Sequence, residues 1–419
     1  MWPRKTLDIG FRDLLRGLVY TILPGRPEEA RASGSSHRFN CLSVRSGFDT
    51  LLRSLEFPAQ SEILFSELTI PDMERIVHTN GLRAVGVGLD SNTWSLDTDL
   101  LEKSVTPKTR AIVVAHLFGR RDSLEEISKF AKRHNLLLIE DCAQSFRGPG
   151  DNGDSSAEVS MFSFGPIKTH TCLGGGVLHF RNPETASAFE RLHQQLPRQP
   201  NRKFAKRLLK YALLNCFGNP LLYGMLYRAL ITLGCDPDLT ISGLARGFGR
   251  GDLSSKIHKR PSAALLRLIR SCMSNFTPSR PDQRAALGRE LTSLLSPSIQ
   301  APADSQSDKD SYWVYPILSV HPESLKVELV KNGFDGTQRS SLVTIPSRVG
   351  QRTPGIEFLE QVVYLPLEYN MDHADIQRLA KIVNSHEQFW RHAEQSLSKP
   401  TEKSSTVADQ SVSSIQIWN

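Results

Sequence analysis

Leu136-Leu-Leu-Ile-Glu-Asp141 is an apolar run that ends in two carboxylates, and the stretch Ser163-Phe-Gly-Pro-Ile-Lys168 follows it. The apolar run predicts a buried strand that delivers Asp141 to a crevice at its C-terminal end, where open α/β sheets bind ligands. Ser163 offers a phosphate contact and Lys168 an amine nucleophile. A Schiff-base lysine and a carboxylate that pairs with a pyridinium nitrogen are groups that pyridoxal phosphate requires. These two stretches therefore predict a site for that cofactor.

The sequence on both sides of these stretches alternates short apolar strands with helices. Such alternation predicts an α/β fold with a mostly parallel sheet that is covered on both faces. The predicted strands are Arg83–Leu89, Ala111–Leu117, Leu136–Ile139, Val159–Phe164 and Gly176–Phe180, and the predicted connecting helices are Asp97–Val105 and Ser123–Asn135.

Three motifs carry a resemblance to a known family. Leu138-Ile-Glu-Asp-Cys-Ala-Gln144, Phe162-Ser-Phe-Gly-Pro-Ile-Lys168 and Gly175-Gly176 occur in this order, and together they resemble the DegT/DnrJ/EryC1/StrS aminotransferases. The likeness runs from about Leu42 to Phe180 and resumes more weakly from Tyr312 to Val383. It implies a fold-type-I transferase with a large α/β domain, a small C-terminal α+β domain, and a homodimer with active sites at the subunit interface. The alternative is a surface lysine and a turn carboxylate, which the ordered motifs disfavour.

The resemblance assigns roles to four residues of these motifs. Lys168 would form the Schiff base with pyridoxal 5'-phosphate and, once the substrate displaces it, move a proton between the substrate and the cofactor. Asp141 would pair with the pyridine nitrogen of the cofactor. Gln144 matches the position that hydrogen-bonds the ring oxygen, and Ser163 matches a phosphate-binding serine. Lys168 and Asp141 are therefore the predicted catalytic residues.

A second phosphate contact is predicted at Ser46-Gly47-Phe48-Asp49-Thr50, which precedes Leu51-Leu52 and has the pattern of a loop entering a helix. Backbone N–H groups at a helix N-terminus bind phosphate because they are unpaired and the helix dipole is favourable there. The family usually has Ser-Gly-Thr-Asp-Ala here, so Phe48 replaces a hydroxyl group. We expect Ser46, Gly47 and Phe48 to form the phosphate cradle mainly through their backbone. A plain helix cap is the alternative.

Two other departures from the family pattern concern the cofactor ring and the neighbouring subunit. Ile70 stands where family members often place an aromatic ring on the cofactor. The family's Gly-Tyr-Asn-Tyr-Arg segment, through which a neighbouring subunit contacts the phosphate, is absent. Its nearest counterpart by spacing is Ile257-His-Lys-Arg-Pro-Ser-Ala-Ala264, which would put His258 in place of the asparagine.

The function that the resemblance implies is transamination. An amino acid, plausibly glutamate, would donate its amino group to a keto or aldehyde acceptor, such as a nucleotide- or lipid-linked keto-sugar. Two alternatives are a dehydratase-like chemistry on the same cofactor, which the presence of Lys168 disfavours, and a catalytically silent scaffold or regulator. No metal is expected, since the six cysteines form no C-x-x-C pair, and this spacing also predicts a reducing compartment.

Charge and hydropathy mark the regions outside the motifs. The chain has a net charge of +7, and residues 196–290 hold 17 Lys/Arg against 5 Asp/Glu. Such a block indicates either an anionic partner or a solvated basic surface, and no nucleic-acid motif accompanies it.

The first 24 residues predict an amphipathic helix, not a signal peptide. Tyr211–Gly234 is apolar and predicts either a buried helical hairpin or an interfacial membrane element. We therefore expect a cytoplasmic protein, with peripheral membrane association as the alternative.

These observations predict five regions along the chain. They are an N-terminal helix and linker (1–38), a large cofactor-binding α/β domain (39–195), a basic helical insertion (196–300), a small C-terminal α+β domain (301–395) and a disordered tail (396–419).

Overall fold

The computed structural model describes residues 1–23, 37–245, 252–301, 310–348 and 353–398. The predicted linker, apart from its last two residues, and the predicted tail beyond residue 398 lie outside them. The strands are β1 (Arg38–Cys41), β2 (Glu62–Ser66), β3 (Leu68–Thr69), β4 (Arg83–Val87), β5 (Thr109–Ala115), β6 (Leu137–Asp141), β7 (Val159–Ser163), β8 (Gly176–Phe180), β9 (Tyr315–Leu318), β10 (Val343–Thr344) and β11 (Val362–Leu365). The helices are α1 (Phe11–Ile22), α2 (Val44–Ser54), α3 (Pro71–Thr79), α4 (Thr98–Ser104), α5 (Glu125–Arg133), α6 (Pro183–Gln195), α7 (Asn201–Asn215), α8 (Pro220–Thr232), α9 (Pro237–Ala245), α10 (Leu253–Ile257), α11 (Ala263–Ser274), α12 (Ser279–Leu294), α13 (Pro322–Lys331), α14 (Pro354–Gln361) and α15 (His373–Ser398).

A central sheet has the strand order β1-β8-β7-β6-β5-β2-β4 within the described residues. Strands β4, β2, β5, β6 and β7 pair in parallel. Strand β8 is antiparallel to both of its neighbours, β7 and β1, so β1 again runs in the direction of the parallel strands. This confirms the predicted α/β fold with a mostly parallel sheet. All five predicted strands are present, although their ends differ by up to two residues. Strands β1 and β2 were not predicted.

Helices cover both faces of this sheet because successive strand residues point to opposite sides. On one face, Ile63 and Phe65 of β2 pack in a core that includes α2, α3 and α6. On the other face, Leu64 of the same strand packs with Leu101 of α4 and with Ile127 and other residues of α5. Asp97 caps α4 by accepting hydrogen bonds from the N–H groups of the next turn, so the predicted start of this helix is confirmed.

A second core lies in the C-terminal region. It contains the antiparallel pair β9–β11 and apolar residues of α12, α13 and α15, including Leu291, Leu325 and Leu379. Helices on a small antiparallel sheet thus form an α+β unit, and α12, which contributes to it, lies within the region predicted as the insertion (196–300). Strand β10 pairs instead with β3, which ties the two regions together beside the carboxyl edge of β2.

Helix α1 forms a third core with α7 and α11. Leu14 is buried there, and a Cβ atom added at Gly17 would lie 2.8 Å from the Leu208 side chain, so glycine permits the close approach. The segment 211–234, for which a buried helical hairpin was one of the two predictions, is buried only in part. Tyr211 and Tyr223 are buried, but most apolar side chains of α8 are exposed. Among the described residues, no helix has both the length and the apolarity needed to span a bilayer.

Candidate active site

The motif residues meet at the carboxyl edge of the parallel strands. Strand β6 ends at Asp141 and the neighbouring β7 ends at Ser163, while Lys168 lies in the loop that joins β7 to β8. The backbone N–H of His116, just after β5, donates to the Asp141 carbonyl over 3.0 Å and so joins a third strand end to this edge. The fold therefore gathers these groups in the place where open α/β sheets bind ligands.

Burial and neighbouring charges shift the pKa values of the central pair in opposite directions. Burial, aided by the charges of Arg45 and Lys5, lowers the pKa of Lys168 to about 7 against the opposing effect of Asp141. Burial also raises the pKa of Asp141, although a 2.9 Å hydrogen bond from the Ala143 N–H and the charge of Lys168 oppose this. Both side chains keep partial solvent exposure. We call the surroundings of these two partly buried side chains the recess; burial there favours the neutral, nucleophilic form of the lysine amine near neutral pH.

Trp313 forms one wall of this recess. Its ring centroid lies 4.1 Å from the Lys168 Nζ atom, and its indole N–H donates to the Ile167 carbonyl over 2.8 Å. The ring thus contacts both the amine and the loop that carries it. Sequence reasoning did not find Trp313 as a site residue. Its only signal was the weaker resemblance that resumes near Tyr312.

Gln144 and Ser163 hold the backbone around the recess. The side-chain oxygen of Gln144 accepts a 2.8 Å hydrogen bond from the N–H of Phe118, whose φ of 62° lies in the left-handed region. The Ser163 hydroxyl accepts a 3.4 Å hydrogen bond from the Gly165 N–H. Each keeps further hydrogen-bonding groups for a ligand, since an amide has two donors and a hydroxyl has one.

The predicted phosphate cradle begins earlier than the sequence indicated. Helix α2 starts at Val44, and Ser43 caps it by accepting from the Ser46 N–H over 3.1 Å. Ser46 and Gly47 therefore belong to the first helical turn and not to a loop. Gly176 lies so close to this turn that an added Cβ would be 2.6 Å from the Val44 nitrogen. The glycine lets the start of β8 pack against the N-terminus of α2.

Side chains in this first turn already have protein partners. The Ser46 hydroxyl donates to the Ile257 carbonyl over 2.6 Å, and Phe48 is fully buried with its ring edge-on to that of Phe65. Any contact of this turn with a phosphate therefore depends on the helix N-terminus.

The segment proposed as a counterpart of the neighbouring-subunit loop contacts its own chain. His258 Nε2 lies 3.0 Å from the Asp49 carboxylate of α2, one turn beyond Ser46. The hydrogen bond from Ser46 to Ile257 holds the same segment. Ile70 precedes α3 and packs, partly buried, against the core that contains Phe48.

A buried ionic network lies directly behind Asp141. The Glu140 carboxylate contacts His116 Nε2 at 2.9 Å and Arg121 at 2.8 Å, and it accepts hydrogen bonds from the Ser160 hydroxyl and the Asp154 N–H. His116, Glu140 and Cys142 have potential metal-ligand atoms within 4.8 Å of one another. Arg121 contacts both Glu140 and Cys142, so a cation of the protein already neutralises this group.

Comparisons with known proteins agree with this geometry. Residues 29–216 match the model of the DegT/DnrJ/EryC1/StrS aminotransferase family. The chain is 33% identical over 171 residues to a dTDP-3-amino-3,4,6-trideoxy-alpha-D-glucose transaminase of Micromonospora megalomicea, which covers 39% of this chain and 45% of that protein. It is 30% identical over 197 residues to a UDP-2-acetamido-2-deoxy-3-oxo-D-glucuronate aminotransferase of Pseudomonas aeruginosa, covering 45% of this chain and 55% of that protein. The chain thus spans about half the length of the curated relatives it matches.

Solved structures extend the likeness of the fold to nearly the whole chain. DesV of S. venezuelae, solved with a ketimine intermediate, has a TM-score of 0.63 at 20% identity and covers 90% of this chain and 95% of its own. A sugar aminotransferase of Micromonospora echinospora has a TM-score of 0.63 at 18% identity, covering 92% of this chain and 100% of its own. The motifs and the family match thus agree that residues 29–216 are similar to the DegT/DnrJ/EryC1/StrS aminotransferase family, and the solved structures show the same fold over nearly the whole chain.

Proposed function

We propose that the protein is a pyridoxal-phosphate-dependent aminotransferase in which Lys168 is the lysine that binds the cofactor. The observation that carries this proposal is that Lys168 and Asp141 lie near each other at the carboxyl edge of β6 and β7, where the pKa of the lysine falls to about 7 and that of the aspartate rises. An amine that is half unprotonated near pH 7 can attack a carbonyl carbon under conditions in which an ordinary lysine stays protonated.

The residues of the recess fit the chemical groups of this cofactor. Lys168 would hold its aldehyde carbon, Asp141 its ring nitrogen and Gln144 its ring oxygen. Ser163 and the first turn of α2 would hold the phosphate, and the close contact of Gly176 with the Val44 nitrogen supports a cradle built there. When bound, pyridoxal phosphate supplies an electron sink for a carbanion at the substrate carbon.

The side chains around that group have distinct tasks in our proposal. Asp141 would pair with the ring nitrogen and favour its protonated form. Lys168 would act as the base that takes a proton from the substrate carbon, which requires its neutral form. Trp313 covers the Lys168 amine on one side, which restricts the approach of water from that direction.

The substrates that we propose are an amino acid donor, plausibly glutamate, and a keto-sugar acceptor. Support comes from the matched relatives, whose names describe transamination of nucleotide-linked sugars. The acceptor in this chain is a nucleotide- or lipid-linked ketone. Transamination consists of two half-reactions, one with the amino donor and one with the keto acceptor, and each can be observed separately.

The experiment measures visible absorption of the purified protein with added pyridoxal phosphate. We expect a band in the wild type, its loss in Lys168→Ala, and its retention in Lys129→Ala, which alters an exposed lysine of α5. Glutamate should then bleach the band, and a keto acceptor should restore it. A wild type that stays colourless with added cofactor would refute the proposal. A coloured protein that no amino acid bleaches would indicate a different chemistry.

We also propose that the protein is a homodimer, as the family resemblance implies. The contacts of Ile257 and His258 with α2 lie within one chain, so a dimer would not depend on that segment for this contact. Light scattering on the purified protein tests this proposal directly. A monomer at all accessible concentrations would refute it.

We further propose that this cytoplasmic enzyme contacts a membrane surface through α1, α7 and α8. Exposed apolar side chains recur on these helices, among them Leu15 of α1, Leu213 of α7 and, on or beside α8, Leu221 (78% exposed) and Leu233 (75% exposed). Residues 201–235 contain six Lys/Arg and no Asp/Glu. A face that is both apolar and basic suits an anionic leaflet, where each basic residue contributes about 1 kcal/mol.

Co-sedimentation with vesicles of anionic lipid tests this contact. We expect binding at low salt that weakens at high salt, and loss of binding when Leu221 and Leu233 are both replaced by aspartate. Val327→Asp is the matched control, because Val327 is an exposed apolar residue of α13, which is not one of these three helices. Protein that stays in the supernatant at low salt would refute the membrane proposal and leave a purely cytosolic enzyme.

A further inference from the structure

The first ten residues form an extended segment that is fastened at almost every second position. The Trp2 N–H donates to the Gly333 carbonyl over 2.8 Å, and Arg4 forms an ion pair with Asp335 at 2.7 Å. The Thr6 N–H then donates to Glu368 over 2.9 Å. This segment therefore has one fixed course over the C-terminal region before α1 begins.

The same segment reaches the loop that carries Lys168. The carboxylate of Asp8 accepts a 2.7 Å hydrogen bond from the N–H of His170, two residues after the lysine. Lys5 Nζ donates over 2.7 Å to the carbonyl of Trp313, the residue whose ring lies over the Lys168 amine. Two contacts thus connect the N-terminus of the chain to the active-site recess.

Lys5 is a buried ammonium group with little charge compensation. Its side chain is 13% exposed, and the nearest carboxylate oxygen, on Glu368, is 4.0 Å away. Glu368 already accepts hydrogen bonds from the N–H and the hydroxyl of Thr6. Burial and the charge of Arg284 lower the pKa of Lys5 to about 8, while Glu368 and Asp8 oppose this. Such an environment is costly for a group that only fastens the chain.

We propose that Lys5 is a positioning residue of the Lys168 site: it holds Trp313 over the Lys168 amine and adds a positive charge that acts on that amine. The anchoring of the segment does not need this charge, because Trp2, Arg4 and Asp8 provide independent contacts. The titratable groups that act on Lys168 are Asp141, Arg45 and Lys5. Lys5 is the one among them that the N-terminal segment supplies.

The expected effect on Lys168 has a definite sign. A neighbouring positive charge disfavours protonation, so Lys5 helps to keep Lys168 in the neutral, nucleophilic form. Removing the charge of Lys5 should raise the pKa of Lys168 from about 7 toward its ordinary value of 10.5. The catalytic meaning of this effect rests on the proposed function, but the effect itself exists in protein that holds no cofactor.

The experiment therefore measures Lys168 in cofactor-free protein. Competitive acetylation with acetic anhydride, followed by mass spectrometry of the peptide that contains Lys168, gives the pH at which this amine is half reactive. The variants are Lys5→Gln, which keeps a hydrogen-bond donor for the Trp313 carbonyl, Lys5→Met, which removes charge and donor, and Lys5→Arg, which keeps the charge. Circular dichroism confirms that each variant is folded, and Lys129→Met controls for loss of a distant lysine.

A midpoint near pH 7 in the wild type and in Lys5→Arg, with a higher midpoint in Lys5→Gln, supports the proposal. Lys5→Met should raise the midpoint at least as much as Lys5→Gln; if it does not fold, Lys5→Gln alone decides. An unchanged midpoint in Lys5→Gln overturns the proposal. Failure of the proposed function would appear separately, as wild-type protein that gains no visible band with pyridoxal phosphate while the acetylation midpoints still differ.

Discussion

Replacing Glu140 with glutamine should lower the free energy of unfolding and make that free energy less dependent on pH. The side chain is fully buried behind Asp141 and accepts hydrogen bonds from Arg121, His116, Ser160 and the Asp154 N–H. Burial alone would raise the pKa of Glu140, but the hydrogen bond from His116 and the charge of Arg121 lower it well below its ordinary 4.5. The carboxylate therefore stabilises the folded state while it is ionised.

The magnitude follows from the number and kind of these contacts. Glutamine keeps one acceptor oxygen but directs an NH₂ group at hydrogen-bond donors, so part of the network must break. Arg121 would retain Asp151, at 2.6 Å, as a partner. Removing one partner of a buried ion pair costs about 3–5 kcal/mol, and the remaining pair with Asp151 favours the lower end of that range. We expect a loss of about 3 kcal/mol in the free energy of unfolding at neutral pH.

The sign of the pH dependence follows from linkage. A carboxylate whose pKa is lower in the folded state stabilises the protein above its unfolded pKa, and this contribution is lost as pH falls toward the folded pKa. The difference between wild type and Glu140→Gln should therefore be full at neutral pH and shrink below the ordinary value of 4.5. Urea denaturation at a series of pH values, followed by circular dichroism, measures both quantities.

Glu102→Gln is the matched control, because Glu102 pairs with Arg133 at 2.7 Å on the surface, with both side chains more than half exposed. Its cost should stay below about 1 kcal/mol. The reasoning would be refuted if Glu140→Gln unfolded with the same free energy as Glu102→Gln, or if its deficit grew as the pH was lowered.

Three further results are expected. The rate at which cofactor-free protein captures pyridoxal phosphate should rise as pH increases through 7 and then level off, because Lys168 becomes neutral near that pH; a rate that keeps rising to the pKa of an ordinary lysine would contradict this. Asp141→Asn should slow the bleaching of the visible band by glutamate about 100-fold or more while the protein stays folded, since the charge opposite the ring nitrogen is lost; stopped-flow absorbance measures it. Phe48→Thr, which restores the hydroxyl of the family pattern, should cost about 3–5 kcal/mol of unfolding free energy without tightening cofactor binding, because Phe48 is fully buried against Phe65; denaturation and cofactor titration test both parts.

The parallel sheet was predictable because its strands are buried on both faces and therefore stand out as apolar runs. Strands β5 to β8 were all found in this way. Strand β1 was missed because four residues at the end of a sheet give too short a pattern. Strand β2, Glu62–Ser66, was missed although all of its residues are buried, since it begins with a charged residue and is enclosed by polar ones.

Those residues of the candidate site that lie at or near strand ends in the sequence could be predicted. Asp141 and Ser163 end neighbouring parallel strands, so the fold brings them together once the strands are identified. Trp313 and Lys5 come from distant parts of the chain and reach Lys168 only through tertiary contacts. No periodicity or local motif marks either residue, so the sequence alone could not assign them to the recess.

The start of α2 shows how a residue pattern can suggest a role that the packing then limits. At position 48 the side chain faces the core, and a hydroxyl there would be buried beside Phe65. The replacement of the family's hydroxyl by Phe48 therefore improves packing in this chain, and the first turn must contact an anion through other groups. Arg45 belongs to that turn, and its charge acts on both Lys168 and Asp141.

The charge balance of the recess follows from these placements. Lys5 and Arg45 are the cationic groups that act on Lys168, and Asp141 is the carboxylate that acts on it. Arg45 is also paired with Asp72 at 2.6 Å, so its charge is partly compensated. Burial is the largest cause of the lowered pKa of Lys168, and the positive charges of Arg45 and Lys5 add to it. The neutral form of the Lys168 amine thus depends first on burial and then on neighbouring charges, one of which comes from the first five residues of the chain.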